Sequence, residues 1–320
     1  MDEISFQGQT VIVTGAGGGL GRAYALEIAR RGGAVVVNDL GGNVDGLNGS
    51  ATMADQVVAE IAAAGGRAVA NYDSVATREG AQAIAQAALS SFGRIDALIN
   101  NAGNLRNAWF EDFLTEDRDA LLTTHLLGTF NVTQAVWPHM KMAGYGRIVF
   151  VSSAAGMFGN QMQAGYGAAK GGVVGLMNVL AQEGEPHGIL CNALLPSAMS
   201  RMAEKMDPKE MAPLRRYTSG MGNAMDPSFV APAAVYLASQ ACRTTHDMYS
   251  ALGGRVARAF VGIADGWIGP RDAPASVEQI AENISEIRDV SRFSIPASLT
   301  DEYRIASELM ARQMSGVKDG

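Results

Sequence analysis

Thr14-Gly-Ala-Gly-Gly-Gly-Leu-Gly21 decides the reading of this chain. The β-branched run Thr10-Val-Ile-Val13 enters it, and the helical pattern Arg22-Ala-Tyr-Ala-Leu-Glu-Ile-Ala-Arg30 leaves it. That order is a strand, a glycine turn and a helix start. Glycine has no Cβ, so the backbone turns tightly and a ligand can come close. The unpaired N–H groups and the positive end of the helix dipole suit a pyrophosphate. The spacing is Gly15-x-x-x-Gly19-x-Gly21, because Leu20 stands where a G-x-G-x-x-G motif would have its third glycine. A flexible glycine-rich loop is the plainer reading of such a stretch. Asp39 speaks against it. It closes a second strand, Ala34-Val-Val-Val-Asn-Asp39, 20 residues after Gly19. A carboxylate at that distance is placed to accept hydrogen bonds from adenosine ribose hydroxyls. Its charge repels a 2′-phosphate, and no Arg or Lys lies between Thr14 and Gly21 or directly after Asp39. The cofactor expected is therefore NAD rather than NADP.

The 320 residues are 48% hydrophobic and 18% charged, an ordinary globular balance that suits one large α/β domain or two smaller ones. The net charge of −7 disfavours nucleic acid as a partner. Two cysteines, Cys191 and Cys242, make no disulfide framework, so a reducing, cytoplasmic setting is expected. The four histidines show no ligand spacing, and no metal site is expected. Asp2 and Glu3 open the chain without an apolar run, so no signal peptide is expected. No apolar stretch reaches membrane-spanning length. The final Val317-Lys-Asp-Gly320 is not a peroxisomal address.

Strand and helix patterns alternate along the chain. After the polar loop Gly41–Gly49, a helix is predicted from about Ala51 to Ala64. A strand follows at Ala68–Tyr72, ending at Asp73, and then a helix from Thr77, its N-cap, to Ser91. Ala97–Asn100 is a fourth strand and runs into Asn100-Asn-Ala-Gly103. A long helix is predicted from Thr115 to Met142, and a strand over Arg147–Ser152. A helix from Ala164 to Gln182 and a strand over Ile189–Leu195, stopped by Pro196, come next, with a seventh strand over Ala257–Ile263. The fold expected is a doubly wound α/β domain of Rossmann type, a parallel sheet with helices on both faces. Ligands bind such sheets beyond the carboxyl ends of the strands. Gly15, Asp39, Asp73, Asn101, Ser153 and Pro196 all fall there. The organisation expected is one dinucleotide-binding oxidoreductase domain over residues 1–320, with an insertion at 197–226 and a helical extension at 270–320. The insertion carries Met199, Met202, Met206, Met211, Met221 and Met225. Flexible, polarizable thioethers suit a lid over an apolar substrate, with Met202 and Met206 as contacts; plain core methionines are the other reading. In the extension, Val277, Ile280, Ile284 and Ile287 share a helix face behind a Ser276-x-x-Gln279 capping box, and Tyr303, Ala306 and Met310 mark a second helix.

Tyr166-Gly-Ala-Ala-Lys170 puts a phenol and an ammonium at i and i+4 on one helix face. A tyrosine near its reference pKa of about 10 is a poor base at neutral pH. A lysine charge beside it stabilises the phenolate, so the phenol can exchange protons with an alcohol or carbonyl oxygen. Most pairs at this spacing are solvated surface contacts. Here Ser152-Ser153 ends the preceding strand and brings a hydroxyl to the same place.

The glycine loop, Asn100-Asn-Ala-Gly103, Ser153 and Tyr166-x-x-x-Lys170 together resemble the signature of the short-chain dehydrogenase/reductase family, with Ser153 preceding Tyr166 by 13 residues. The match covers about Phe6 to Pro270. It implies that Tyr166 is the general acid or base, that Lys170 lowers its pKa and binds the nicotinamide ribose, and that Ser153 holds the substrate oxygen. It places Thr14, Gly15, Gly19, Leu20 and Gly21 at the pyrophosphate and Asp39 at the adenosine ribose. Asp73 and Ser74 fall by the adenine, Asn101, Ala102 and Gly103 by the ribose, and Pro196, Ala198 and Met199 by the carboxamide. A narrower resemblance, to dehydrogenases of (3R)-hydroxyacyl-CoA, rests on Val37-Asn-Asp-Leu-Gly-Gly42, Asn71-Tyr-Asp-Ser-Val75, Tyr145-Gly-Arg-Ile148, Ser200-Arg-Met202 and Gly266-Trp-Ile-Gly269. Those enzymes carry hydratase and sterol-carrier modules downstream, so this chain is expected to be a stand-alone dehydrogenase. An acyl-CoA substrate is expected, a hydroxysteroid or other apolar secondary alcohol is the alternative, and a non-catalytic NAD-binding protein is a remote one. Arg106, Arg201, Lys205, Lys209, Arg215 and Arg216 are candidates for a CoA phosphate. His125 stands where many members have Asn, and proton relay and helix packing are both open to it. Pro196-Ser197 stands where many have Pro-Gly. Gly171, Gly172 and Gly175 imply a close backbone approach, either in a homodimer or homotetramer through this helix or on the chain's own sheet.

Overall fold

The computed structural model describes residues 3–41, 52–198, 216–217, 220–270 and 272–315. Met199, Met202, Met206, Met211, Arg201, Lys205, Lys209 and Arg215 lie outside them. The chain divides into two compact units, Met1–Arg258 and Ala259–Gly320.

The first unit is wound around β-branched runs. β1 (Thr10–Thr14) and β2 (Ala34–Asn38) are buried at every position. Strands covered on both faces read as continuous apolar runs, and these pair in parallel, Thr10 with Ala34 through Thr14 with Asn38. With β3 (Arg67–Asn71), β4 (Ala97–Asn100), β5 (Gly146–Val151), β6 (Ile189–Ser197), β7 (Met248–Leu252) and β8 (Arg255–Ala259) they form one sheet in the order β3-β2-β1-β4-β5-β6-β7-β8. The order reverses between β1 and β4, the switch point where such sheets open a crevice. Helices α1 (Gly19–Arg30), α2 (Thr52–Ala63) and α3 (Arg78–Phe92) connect the first strands. Thr77 caps α3 by accepting from the Gly80 amide.

Three elements depart from expectation. The long helix is not uniform: α4 (Thr115–Leu121) passes through a π turn, Leu122–Leu127, into α5 (Gly128–Ala143). Such insertions recur at functional sites, and this one holds His125. β6 does not stop at Pro196. It continues to Ser197, with Pro196 opposite Ala251. Pairing with β5 ends at Leu194, so at Pro196 the strand has a neighbour on the β7 side alone, an edge-like position that tolerates a missing N–H. The predicted strand Ala257–Ile263 is replaced by β7 and β8, joined through Gly253 and Gly254, both at positive φ. Met248-Tyr-Ser-Ala-Leu252 lacks the β-branched signal of the other strands, so its place comes from pairing with β6.

After β5 come α6 (Ala154–Phe158) and α7 (Ala164–Gly184). Of the three α7 glycines Gly171, Gly172 and Gly175, two are explained within the chain. A Cβ on Gly171 would lie 3.3 Å from Gly156 O, and one on Gly172 would lie 3.0 Å from Leu126, whereas Gly175 faces open space.

In the second unit, Ile263–Ala264 pairs antiparallel with Phe293–Ser294. Ser276 and Gln279 form the expected capping box. The predicted helix behind it is two short pieces, Val277–Glu282 and Ile284–Ile287, and a 17-residue helix spans Leu299–Ser315. None of this unit's described residues is fully buried. Among the described residues of both units, no helix is long and apolar enough to cross a membrane.

Candidate active site

The glycine loop and the Asn-Asn-Ala-Gly run interlock. Thr14 Oγ1 accepts from the amides of Asn101 and Ala102, at 2.9 and 3.0 Å. Asn101 Nδ2 returns two bonds, to Thr14 O and Gly15 O, each 3.0 Å. Gly15, at φ +64, passes so near Ala102 that a Cβ would sit 2.8 Å from its Cα. A Cβ on Gly21 would be 2.2 Å from Gly15 O. These two glycines are fixed by the chain's own backbone. Gly19 differs: at φ +52 it has nothing within 4 Å of its Cβ direction. It opens α1, whose N-cap, Gly18, makes no side-chain cap and whose first turn has no acidic residue. Leu20 follows it inside the helix. The start of α1 thus has open space beside Gly19 and no acidic residue in its first turn, which fits a pyrophosphate.

Asp39 sits over this cradle. Its Oδ2 accepts from the Gly17 amide and its Oδ1 from the Gly41 amide, both at 2.7 Å. Gly17 is glycine because a Cβ would meet the Asp39 carboxyl at 2.8 Å. Asp73 is held in turn: Asn71 Nδ2 donates to its Oδ2 at 2.7 Å, and Asn38 Nδ2 to its carbonyl at 2.9 Å. Ser74 Oγ accepts from the Ala76 amide. Asn38 and Asn71 are functional supports that the sequence reading missed; two buried asparagines at equivalent ends of neighbouring strands were the available signal.

On the other side of the switch point stand Ser153, Tyr166 and Lys170. Ser153 caps α6, its Oγ accepting from the Ala155 amide at 3.1 Å. Tyr166 is partly buried. Burial raises its pKa, and the Ser153 hydroxyl works in the opposite direction. Lys170 is only 4% exposed, and burial brings its ammonium down to about 7. Its Nζ donates to Val151 O at 2.6 Å and lies 5.7 Å from the centre of the Tyr166 ring. The expected pairing is therefore modified. Lys170 is held on a strand carbonyl, and desolvation keeps the phenol protonated at neutral pH. Ser152, not assigned from the sequence, fastens the backbone of the lysine: its Oγ donates to Lys170 O at 2.7 Å.

His125 meets this group edge-on. Its ring lies 5.1 Å from that of Tyr166 at 89°. Burial, and then the charge of Lys170, hold its pKa well below the usual histidine range. Nε2 lies 2.7 Å from Asn104 O and 3.2 Å from the Asn104 amide nitrogen, and Nδ1 is buried without a partner among the described residues. Gly103 makes room for the ring, since a Cβ there would lie 2.2 Å from His125 Cε1. Pro196 is paired in the last residues of β6, and Ala198 follows the strand's end. Of the CoA candidates, Arg106 pairs with Asp117 at 3.0 Å, and Arg216 lies by Tyr217.

A phenol, a serine hydroxyl and a lysine stand on one side of the switch point, and a glycine-lined loop with a carboxylate over it on the other. The family model for short chain dehydrogenase matches residues 9–211, nearly two thirds of the chain. The chain belongs to the short-chain dehydrogenase/reductase family. As a member it is an oxidoreductase that acts on CH–OH groups. It is 46% identical over 285 residues to a short-chain type dehydrogenase/reductase of Mycobacterium tuberculosis, covering 89% of this chain and 96% of that one. It is 42% identical over 311 residues to the peroxisomal multifunctional enzyme type 2 of Mus musculus, covering 93% of this chain but 39% of that enzyme. Among solved structures it is similar to a 7α-hydroxysteroid dehydrogenase complexed with NADH and 7-oxo glycochenodeoxycholic acid. There the identity is 26% and the TM-score 0.69, with 78% of this chain and 95% of that one covered.

Proposed function

We propose that this short-chain dehydrogenase interconverts a (3R)-hydroxyacyl-CoA and the 3-oxoacyl-CoA, with NAD as cofactor. The reading of the substrate rests on the likeness to the multifunctional enzyme, which runs through 93% of the chain. The cofactor choice rests on Asp39, whose two oxygens are already engaged by amides and whose charge opposes a 2′-phosphate. When bound, the dinucleotide accepts hydride from the carbinol carbon. Thr14, Gly15, Gly19, Leu20, Gly21, Asp39, Asp73, Ser74, Asn101, Ala102, Gly103, Pro196, Ala198 and Met199 are read as its contacts. Tyr166 removes the proton of the substrate hydroxyl in oxidation and returns it in reduction, and Ser153 holds the substrate oxygen. A charged Lys170 favours the phenolate and so assists oxidation; burial favours the protonated phenol, the form that assists reduction. His125 is read as a relay partner. His125→Phe keeps an edge-on ring and removes Nδ1, so relay predicts a shifted pH–rate profile and packing predicts none.

Trp109 and Phe110, after β4, and Phe158, at the end of α6, are exposed aromatics suited to an acyl chain. A hydroxysteroid is the second reading, favoured by the likeness to the steroid enzyme. We also propose a homodimer through α5 and α7, where Leu127, Phe130 and Val179 are exposed beside an apolar groove of about 270 Å³. A cytoplasmic setting is proposed from the two free, buried cysteines; cell fractionation tests it against the compartment in the relatives' name. The functional test is reduction of NAD and of NADP by purified protein with (3R)- and (3S)-hydroxyacyl-CoAs, hydroxysteroids and plain secondary alcohols. High kcat/KM with NAD and a (3R)-hydroxyacyl-CoA supports the proposal, and preference for a steroid replaces it.

A further inference from the structure

We infer that Gln163 determines substrate specificity by binding the second oxygen of a 1,3-dioxygenated substrate, the thioester carbonyl of a 3-oxoacyl-CoA. The inference rests on the acyl-CoA reading above and extends it to a residue that reading does not use.

Two loops leave the neighbouring strands β4 and β5 at their carboxyl ends and are joined at one point. Ala108 donates its amide to Met162 O at 3.0 Å, and Gln163 Nε2 donates to Asn107 Oδ1 at 3.3 Å. Met162 occupies the left-handed region at φ +65, costly for a residue with a long side chain. Such backbone persists where the surroundings impose it, and it clusters at ligand clamps. Gln163 is the N-cap residue of α7, where a polar side chain ordinarily accepts from the helix's first amides; here it makes no cap. Its carbonyl alone serves the helix, accepting from the Gly167 amide at 2.7 Å. The side chain turns instead to Asn107.

Gln163 precedes Tyr166 by three residues, at the N-terminal end of the same helix. It is 7% exposed. One carboxamide atom is held by Asn107, and the other makes no hydrogen bond among the described residues. A paired Gln and Asn can both turn over, so the outward atom is either an acceptor or an N–H donor. One helical turn is about 5.4 Å. Tyr166 and Ser153 take the reacting oxygen, and a carboxamide one turn earlier lies within side-chain reach of a carbonyl two carbons away. A plain ketone offers no such oxygen and leaves the carboxamide unpaired, which is how sites built to hydrogen-bond one group reject analogues lacking it.

The test compares wild type, Gln163→Ala and Asn107→Ala on two ketones of equal chain length, a 3-oxoacyl thioester of N-acetylcysteamine and a 2-alkanone. Where the alkanone turns over too slowly to follow, its competitive inhibition constant serves. NADH affinity and Tm are measured alongside. Gln163→Ala is expected to lower the thioester-to-alkanone ratio of kcat/KM by 10- to 100-fold, chiefly through KM, with a smaller fall for Asn107→Ala. An unchanged ratio overturns the inference, whether both substrates fall together or neither does. So does an equal response from the two variants, which marks Gln163 as a loop support. A wild type that ignores the thioester while reducing steroids overturns the acyl-CoA reading and the inference with it. A wild type that prefers the thioester, with an unchanged ratio in Gln163→Ala, removes the inference alone.

Discussion

On the β1–β4 side, the crevice is lined by backbone. Gly15 and Gly21 lie so close to other main-chain atoms that no side chain fits, and the polar groups there are amides and carbonyls held by Thr14 and Asn101. On the β5–β6 side, it is lined by ionisable side chains drawn out of water: Tyr166, Lys170 and His125, each moved away from the charged form by burial. At Gly15 and Gly21 the first region tolerates no added atom. The second answers to pH. Binding is secured by sterics in one half of the site, and chemistry by desolvation in the other.

Gly21→Ala is the most severe way to break this division. Its Cβ would sit 2.2 Å from Gly15 O, so NADH binding, followed by fluorescence titration, should weaken at least about 100-fold or the protein should fail to fold. Near-native affinity would show that the cradle is pliable. Asp39→Asn sharpens the account of charge. It keeps one acceptor oxygen for the Gly17 and Gly41 amides and removes the negative charge, so the preference for NAD over NADP in kcat/KM should fall roughly tenfold. An unchanged preference would mean that shape, not charge, discriminates.

Lys170→Met tests the second half through stability. In the unfolded chain this lysine stays charged up to its ordinary value of 10.5, and in the folded protein only to about 7. Between the two, folding releases a proton, so wild-type stability rises with pH and the penalty of burial is greatest below that window. The variant should therefore melt above wild type near about pH 6, with the gap closing toward about pH 10. A gap independent of pH would place the lysine in its ordinary titration range. The smallest effect is expected for Gly19→Ala. Its Cβ meets open space, and only the φ of +52 opposes it, a cost of about 1–2 kcal/mol by thermal denaturation.

The two halves were also unequally legible. The glycine loop, Asp39, the alternation of strands and helices and the Thr77 and Ser276–Gln279 caps are local signals, and each stands where its residues indicate. The π turn that presents His125, the passage of β6 through Pro196 and the short β7 are not local, since each is set by what packs or pairs across it. The tyrosine–lysine pair was legible as a spacing. Its electrostatics were not, because burial of Lys170 and its bond to Val151 O depend on residues far away in sequence. Asn104, Asn107 and Gln163 were invisible for the same reason: a polar residue in a loop acquires a role only from its partner.

The most direct measurement places wild type beside Tyr166→Phe, following both oxidation of a (3R)-hydroxyacyl-CoA with NAD and the dissociation constant of NADH. The backbone cradle should be untouched and the chemistry lost. Turnover should fall by about 10³-fold or more while NADH affinity stays within about twofold. Turnover that survives the loss of the hydroxyl would contradict the account, because the proton would then be carried by a group other than Tyr166.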